Sequence, residues 1–108
     1  MTLVSRLRVE ILLPLKYNDG KLIEPSIFLK TEQALVQRFG GCTTLTPTSG
    51  VWLNPKDSHL YQDINSGFYV DCPNNDETFR FLRKFKRTLK KDFDQEAIYI
   101  AYYKVNVL

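Results

Sequence analysis

The side chains best suited to chemistry are scattered along the chain. Tyr17, Asn18 and Asp19 precede Gly20; Trp52, His59, Tyr61 and Asp63 sit in the middle; Gln95 and Glu96 come near the end. Carboxylates beside an indole and phenols are residue types that build small-molecule sites. Asp63 with Glu96 would make a carboxylate pair for acid–base work, and adding Asp19 would offer a hard cation oxygen ligands. A second set is cationic: Arg80, Arg83, Lys84, Lys86, Arg87, Lys90 and Lys91. A ridge of that kind contacts phosphates. Neither set carries a nucleophile elbow, a Walker sequence or a dinucleotide glycine fingerprint. Gly40-Gly41 follows a helical pattern instead of opening one, which is the wrong place for a phosphate cradle. No catalytic residue, metal or cofactor is assigned on this reading.

The elements that must position these groups follow from periodicity. Residues 8–17 begin with period-two alternation, with Val9, Ile11 and Leu13 on one face, and read as a strand with an edge or end at Pro14. Asn18-Asp19-Gly20 is a turn. Residues 25–39 are helical, opened by Pro25 and stopped by Gly40-Gly41; Phe28, Leu35 and Phe39, with Thr31 or Glu32, form the buried stripe. Residues 42–52 and 60–72 are two strands of a hairpin, which sets Cys42 roughly opposite Cys72. Asn74 with Glu77 looks like a capping box for a second helix over about residues 77–93. Its buried stripe is Phe79, Leu82, Phe85 or Lys86, Leu89 and Phe93, with Phe81 at the margin. Residues 97–103 form a tyrosine-rich last strand.

The order strand–helix–strand–strand–helix–strand predicts an α+β, ferredoxin-like βαββαβ sandwich. Its four-stranded antiparallel sheet has order 4-1-3-2 and both helices on one face. In that topology the end of strand 1, the strand 2–3 hairpin and the start of strand 4 meet at one end of the sheet. Tyr17, Asp19, Trp52, Tyr61, Asp63, Gln95 and Glu96 are therefore the candidate ligand-binding residues. The sheet face away from the helices carries Leu12, Tyr69, Tyr99 and Tyr103. An aromatic face of that kind is usually covered, here by a second copy, which predicts a homodimer.

Totals set the outer bounds. At 108 residues the chain is expected to form one domain, residues 1–108. With 44% hydrophobic and 25% charged residues it is an ordinary globular composition, not a disordered one. A net charge of +3 permits nucleic acid without requiring it. No apolar run approaches the ~18 residues of a membrane span, and no secretory leader is visible, so a cytoplasmic protein with reduced Cys42 and Cys72 is expected.

Three readings remain open: a homodimeric interaction or small-ligand module, a nucleic-acid binder using Arg80, Arg83, Lys84, Arg87, Lys90 and Lys91, and a small enzyme with a carboxylate site at the strand end. Asn18-Asp19-Gly20, Arg38-Phe39-Gly40-Gly41, Gly50-Val51-Trp52, Phe93-Asp94-Gln95-Glu96 and Ile98-Tyr99-Ile100 together resemble a family of small, uncharacterised bacterial and archaeal proteins. The resemblance implies a ferredoxin-like fold and brings no activity and no catalytic residue with it.

Overall fold

The structure is a computed structural model that describes residues 4–108; the side chains of Val4, Thr46, Thr48, Tyr61, Gln62 and Asp63 lie outside what it describes. The elements run β1 (Val4–Pro14), α1 (Pro25–Phe39), β2 (Thr43–Leu53), β3 (Leu60–Cys72), α2 (Asp76–Asp92) and β4 (Tyr99–Val107). The strands form an antiparallel sheet in the order β2-β3-β1-β4. An isolated antiparallel bridge, Lys16↔Leu22, lies outside the named strands and is absent from the four-strand reading.

Alternation along β1 decides the layers. Leu7, Val9, Ile11 and Leu13 are buried and meet Phe68, Val70 and Cys72 of β3 in the core. Leu35 of α1 and Leu82, Phe85, Leu89 and Phe93 of α2 and its cap fill the same cluster. The helices also touch each other: Phe28 meets Phe93 edge-on at 5.2 Å, Phe39 meets Phe81 at 5.3 Å, and Lys30 pairs with Asp92 at 3.1 Å. Both therefore pack on one face of the sheet. On α1 it is Thr31, not Glu32, that is buried, because its hydroxyl is satisfied by donating to the Ile27 carbonyl at 2.9 Å.

Several boundaries differ from the sequence reading. Strand β1 starts at Val4 and ends at Pro14, which has no N–H to continue a ladder. Strand β4 starts at Tyr99 and extends to Val107; Ile98 is buried just before it. The cap of α2 is Asn75, not Asn74: its Oδ1 accepts from Thr78 N at 2.9 Å, the three-residue spacing a cap requires. Cys42 and Cys72 are not opposite. The register shifts between Leu45 and Thr48, so Thr43 pairs with Tyr69 while Cys72 pairs with Leu7 of β1. Both thiols are free, and burial pushes both upward in pKa.

Gly67 marks a close approach of β3 to β1. It faces Leu12, and a Cβ there would meet the Ile11 carbonyl oxygen at 2.1 Å. The sheet is also uneven in length. The last β1–β3 pair is Pro14↔Asn65, while the β2–β3 ladder continues to Leu53↔Leu60. The far part of that hairpin projects from the body, and the molecule measures 51 × 29 × 24 Å.

Candidate functional site

The sheet face away from the helices is more polar than the sequence suggests. Arg8 donates to Asp71 through Nε and a terminal nitrogen at 2.7 and 2.8 Å, and its guanidinium lies 4.4 Å from the Tyr69 ring centre. Tyr103 donates to Glu10 at 2.7 Å. These side chains occupy cross-strand positions, Arg8↔Asp71, Arg8↔Tyr103 and Glu10↔Tyr69. A fork-shaped pair of this kind is a strong, orienting contact. The expected aromatic face of Leu12, Tyr69, Tyr99 and Tyr103 is therefore crossed by a charged band, and only Tyr99 and Tyr103 are exposed large hydrophobics in it.

At one end of this face the chain forms a cleft of about 660 Å³. Its apolar walls are Leu12 of β1, Leu15, Leu22, Ile64 of β3 and Ile98, with Tyr99 at the start of β4. Its polar groups are Lys16, Tyr17, Asn18, Asn65 and Gln95. The volume is that of an ordinary small-molecule pocket.

Local chemistry sets each polar group. Beyond Pro14 the chain reverses: Tyr17 N donates to Lys21 O at 2.8 Å, Gly20 N to Tyr17 O at 2.9 Å, and Ile23 N to Leu15 O at 2.9 Å. Gly20 takes φ +88°, which its missing Cβ allows. Buried Ile23 anchors the returning strand. The Tyr17 hydroxyl donates to the Glu24 carboxylate, locking the turn to the start of α1. That bond pushes the Tyr17 phenol up to about 12 and holds Glu24 low. On the opposite wall α2 ends with Asp94 at φ +50°, and Gln95 N donates to Lys90 O at 2.9 Å. This closing pattern uses an aspartate where glycine is commonest. It fixes Gln95, whose Nε2 donates to Phe93 O at 3.1 Å, leaving its side-chain oxygen as an acceptor. Among the described residues, the side chains of Lys16, Asn18 and Asn65 make no hydrogen bond or ion pair.

The predicted strand-end residues separate into three groups. Tyr17 and Gln95 line the cleft, together with Asn18. Asp19 is committed to its own turn, accepting from Lys21 N at 3.0 Å and pairing with Lys21 Nζ at 4.0 Å, while Glu96 is exposed; neither lines the cleft. Trp52 pairs with Tyr61 well out on the projecting hairpin, four β3 positions beyond the last β1 contact at Asn65. That is about 13 Å of strand. The side chains of Tyr61 and Asp63 fall outside the described residues. No carboxylate lines the cleft, and no group of three metal-ligating side chains occurs, among the described residues. Sequence reasoning missed Lys16, Asn65 and Tyr99 as cleft residues. The signal for Asn65 was its place opposite Pro14, legible only once the register is known.

The cationic residues lie elsewhere. Arg80, Arg83, Lys84, Lys86, Arg87 and Lys91 are exposed on α2, and Lys90 is half-buried. They belong to the helix layer, across the sheet from Tyr99 and Tyr103. No described helix is long and apolar enough to cross a membrane.

No protein-family model matches the chain, and no curated protein matches it. Solved structures do. A phage SAM lyase in complex with S-methyl-5'-thioadenosine superposes with a TM-score of 0.63 at 15% identity, covering 94% of this chain and 90% of that one. The same lyase in its apo state gives 0.63 and 15%, over 95% and 90%. The divalent cation tolerance protein CutA1 from Thermus thermophilus gives 0.59 at 12% identity, over 93% and 82%. At these identities the likeness establishes a shared α+β fold.

Proposed function

We propose that this single-domain chain is a small-ligand-binding module whose cleft takes a nucleoside-type molecule. The observation that carries the reading is the cleft's lining. Side-chain amides at Asn18 and Asn65 and the Gln95 oxygen surround an apolar floor, with the Tyr99 ring at the rim. Amides complement the donor–acceptor edge of a purine, as asparagine does with adenine. A phenol ring stacks on a base face. Lys16 adds one positive charge for an anionic or electron-rich substituent. An adenosine thioether is the first ligand to test, since a solved structure of the same fold is described with S-methyl-5'-thioadenosine.

Amide NMR tests the reading. Titration with S-methyl-5'-thioadenosine should move the resonances of residues 15–18, 64–65 and 95–99. Shifts confined to α2, or none at millimolar ligand, would remove the proposal.

A second feature supports self-association, as a homodimer or larger closed assembly. Tyr99 and Tyr103 on the open face, and Val51, Trp52, Leu53 and Leu60 on the projecting hairpin, are large hydrophobics left exposed. Light scattering tests this: a species of 12.6 kDa at tens of micromolar chain would remove it. A cytoplasmic location fits the reduced thiols. The exposed cations of α2 serve in this reading as a solvated face, with Lys90 and Lys91 favoured at the helix C-terminus.

A further inference from the structure

We infer that residues 49–64 are a docking arm, and that the surface it covers is the cleft rim of a second copy of this chain. The inference rests on the self-association reading and says which surfaces meet.

The arm is the part of the β2–β3 hairpin that has outrun the rest of the sheet. Ser49↔Ile64, Val51↔Gln62 and Leu53↔Leu60 are paired, but no described strand lies beside residues 60–64 on the side where β1 would continue. The consequence shows in the dimensions: a radius of gyration of 15.3 Å, against about 13 Å for a compact chain of this length. An isolated two-stranded ribbon is at best marginally stable in water. The side chains of this one are also poorly suited to a free ribbon. Alternation puts Val51, Leu53, Leu60 and Ile64 on one face, the face that the helices cover farther along the sheet. No helix reaches them, and each is more than half exposed.

The cleft rim has the complementary problem. Leu22, Ile64 and Tyr99 wall the cleft and are 71%, 55% and 61% exposed. Ile64 belongs to both surfaces, so the apolar strip of the arm runs without a break into the cleft wall. Leu22, Val51, Leu53, Leu60, Ile64 and Tyr99 leave on the order of 700 Å² exposed per copy, close to what a stable interface buries on each partner when arm and rim are exchanged reciprocally. The charges permit a second copy. The arm, residues 49–64, holds three charged residues, Lys56 and Asp57 at its turn and Asp63 on β3. With one cation against two carboxylates, the arm offers a phosphate-bearing partner no net positive charge. Arm-on-rim contact is heterologous, so it closes by reciprocal exchange or as a ring. In either case each cleft gains a roof of apolar side chains from the neighbouring copy.

Mixing two variants by sedimentation velocity tests this. Val51→Asp with Leu60→Asp spoils the arm, and Leu22→Asp with Tyr99→Lys spoils the rim. All four positions are exposed, so circular dichroism should show both variants folded. Wild type is expected at two or more times 12.6 kDa, and each variant alone as a monomer, at least tenfold weaker in association. An equimolar mixture should recover a heterodimer, because the intact arm of one meets the intact rim of the other. A monomeric wild type overturns both this inference and the self-association reading. An assembled wild type with an equally assembled arm variant overturns the arm alone. Loss of assembly in both variants without recovery on mixing overturns arm-to-rim contact, and so does a rim variant that still assembles, the result that arm-to-arm packing predicts.

Discussion

Arg8 and Asp71 stand opposite each other on β1 and β3 and are joined by two hydrogen bonds of 2.7 and 2.8 Å. The guanidinium also covers the Tyr69 ring. One pair thus ties two strands and divides the open sheet face into an aromatic end, beside the cleft, and a polar middle.

That pair makes stability pH-dependent at the acid end. The bond to Arg8 lowers the Asp71 carboxyl below its ordinary value of 3.8. A lowered carboxyl contributes stability that is present above the ordinary value and is lost as pH falls through the folded one. Urea unfolding of wild type should therefore weaken below about pH 4 more steeply than that of Asp71→Asn. The variant should be less stable at pH 7 and show a shallower acid limb. Parallel acid limbs would mean the pair contributes nothing to folding.

The Tyr17–Glu24 bond predicts the opposite edge. Tyr17 is pushed up to about 12, so its contribution is complete below the ordinary phenol value of 10 and is lost as pH rises through 12. Tyr103, bonded to Glu10, is also raised. Ultraviolet titration should show late-ionising tyrosines, and Tyr17→Phe should remove one of them. Uniform titration near 10 would contradict the bond.

The α2 cap separates two neighbouring asparagines. Asn75→Ala should cost about 1 kcal/mol, within the usual range for losing a cap, while Asn74→Ala should cost a few tenths or less. Denaturant midpoints of the two variants decide it, and the reverse order would restore Asn74 as the cap.

Gly67→Ala should be more damaging. The new methyl would sit 2.1 Å from a backbone oxygen, which no rotamer change relieves. We expect a loss of about 2–3 kcal/mol, in the range of overpacked sites, read as a lowered melting temperature. A neutral substitution would mean that β1 and β3 separate easily.

Much of the architecture is legible because it rests on local signals. The alternation of Val9, Ile11 and Leu13, the Pro25 start and Gly40 stop of α1, and the stripe from Leu82 to Phe93 each reflect a backbone period or a steric rule. The boundaries that moved were set by something else. Asn74 and Asn75 are equal as cap residues on paper, and only the bond to Thr78 chooses between them. Cys42 falls two positions from Cys72: the register at Leu53↔Leu60 accounts for one and the irregularity near Pro47 for the other, and no residue pattern counts out a bulge.

The place of the cleft was legible in the sequence, and its lining less so. Topology brought Tyr17 and Gln95 to one end of the sheet, and they line one cleft. Asp19 turned inward on its own loop instead. Trp52 went out along the hairpin, because β3 runs four positions past the end of β1, and relative strand lengths are not written in hydrophobic alternation. Lys16 and Asn65 were passed over because an isolated lysine or asparagine has no motif; only the fold makes them neighbours.

The central claim is that the cleft binds a nucleoside-type ligand. Isothermal titration of wild type with S-methyl-5'-thioadenosine is its most direct test. At about 0.3 kcal/mol for each of roughly 20 non-hydrogen atoms, a dissociation constant in the tens of micromolar is expected. Asn65→Ala should weaken it by about tenfold, the value of one lost polar contact. Absence of binding at millimolar ligand by the folded protein, or equal binding by Asn65→Ala combined with Tyr99→Ala, would contradict the account.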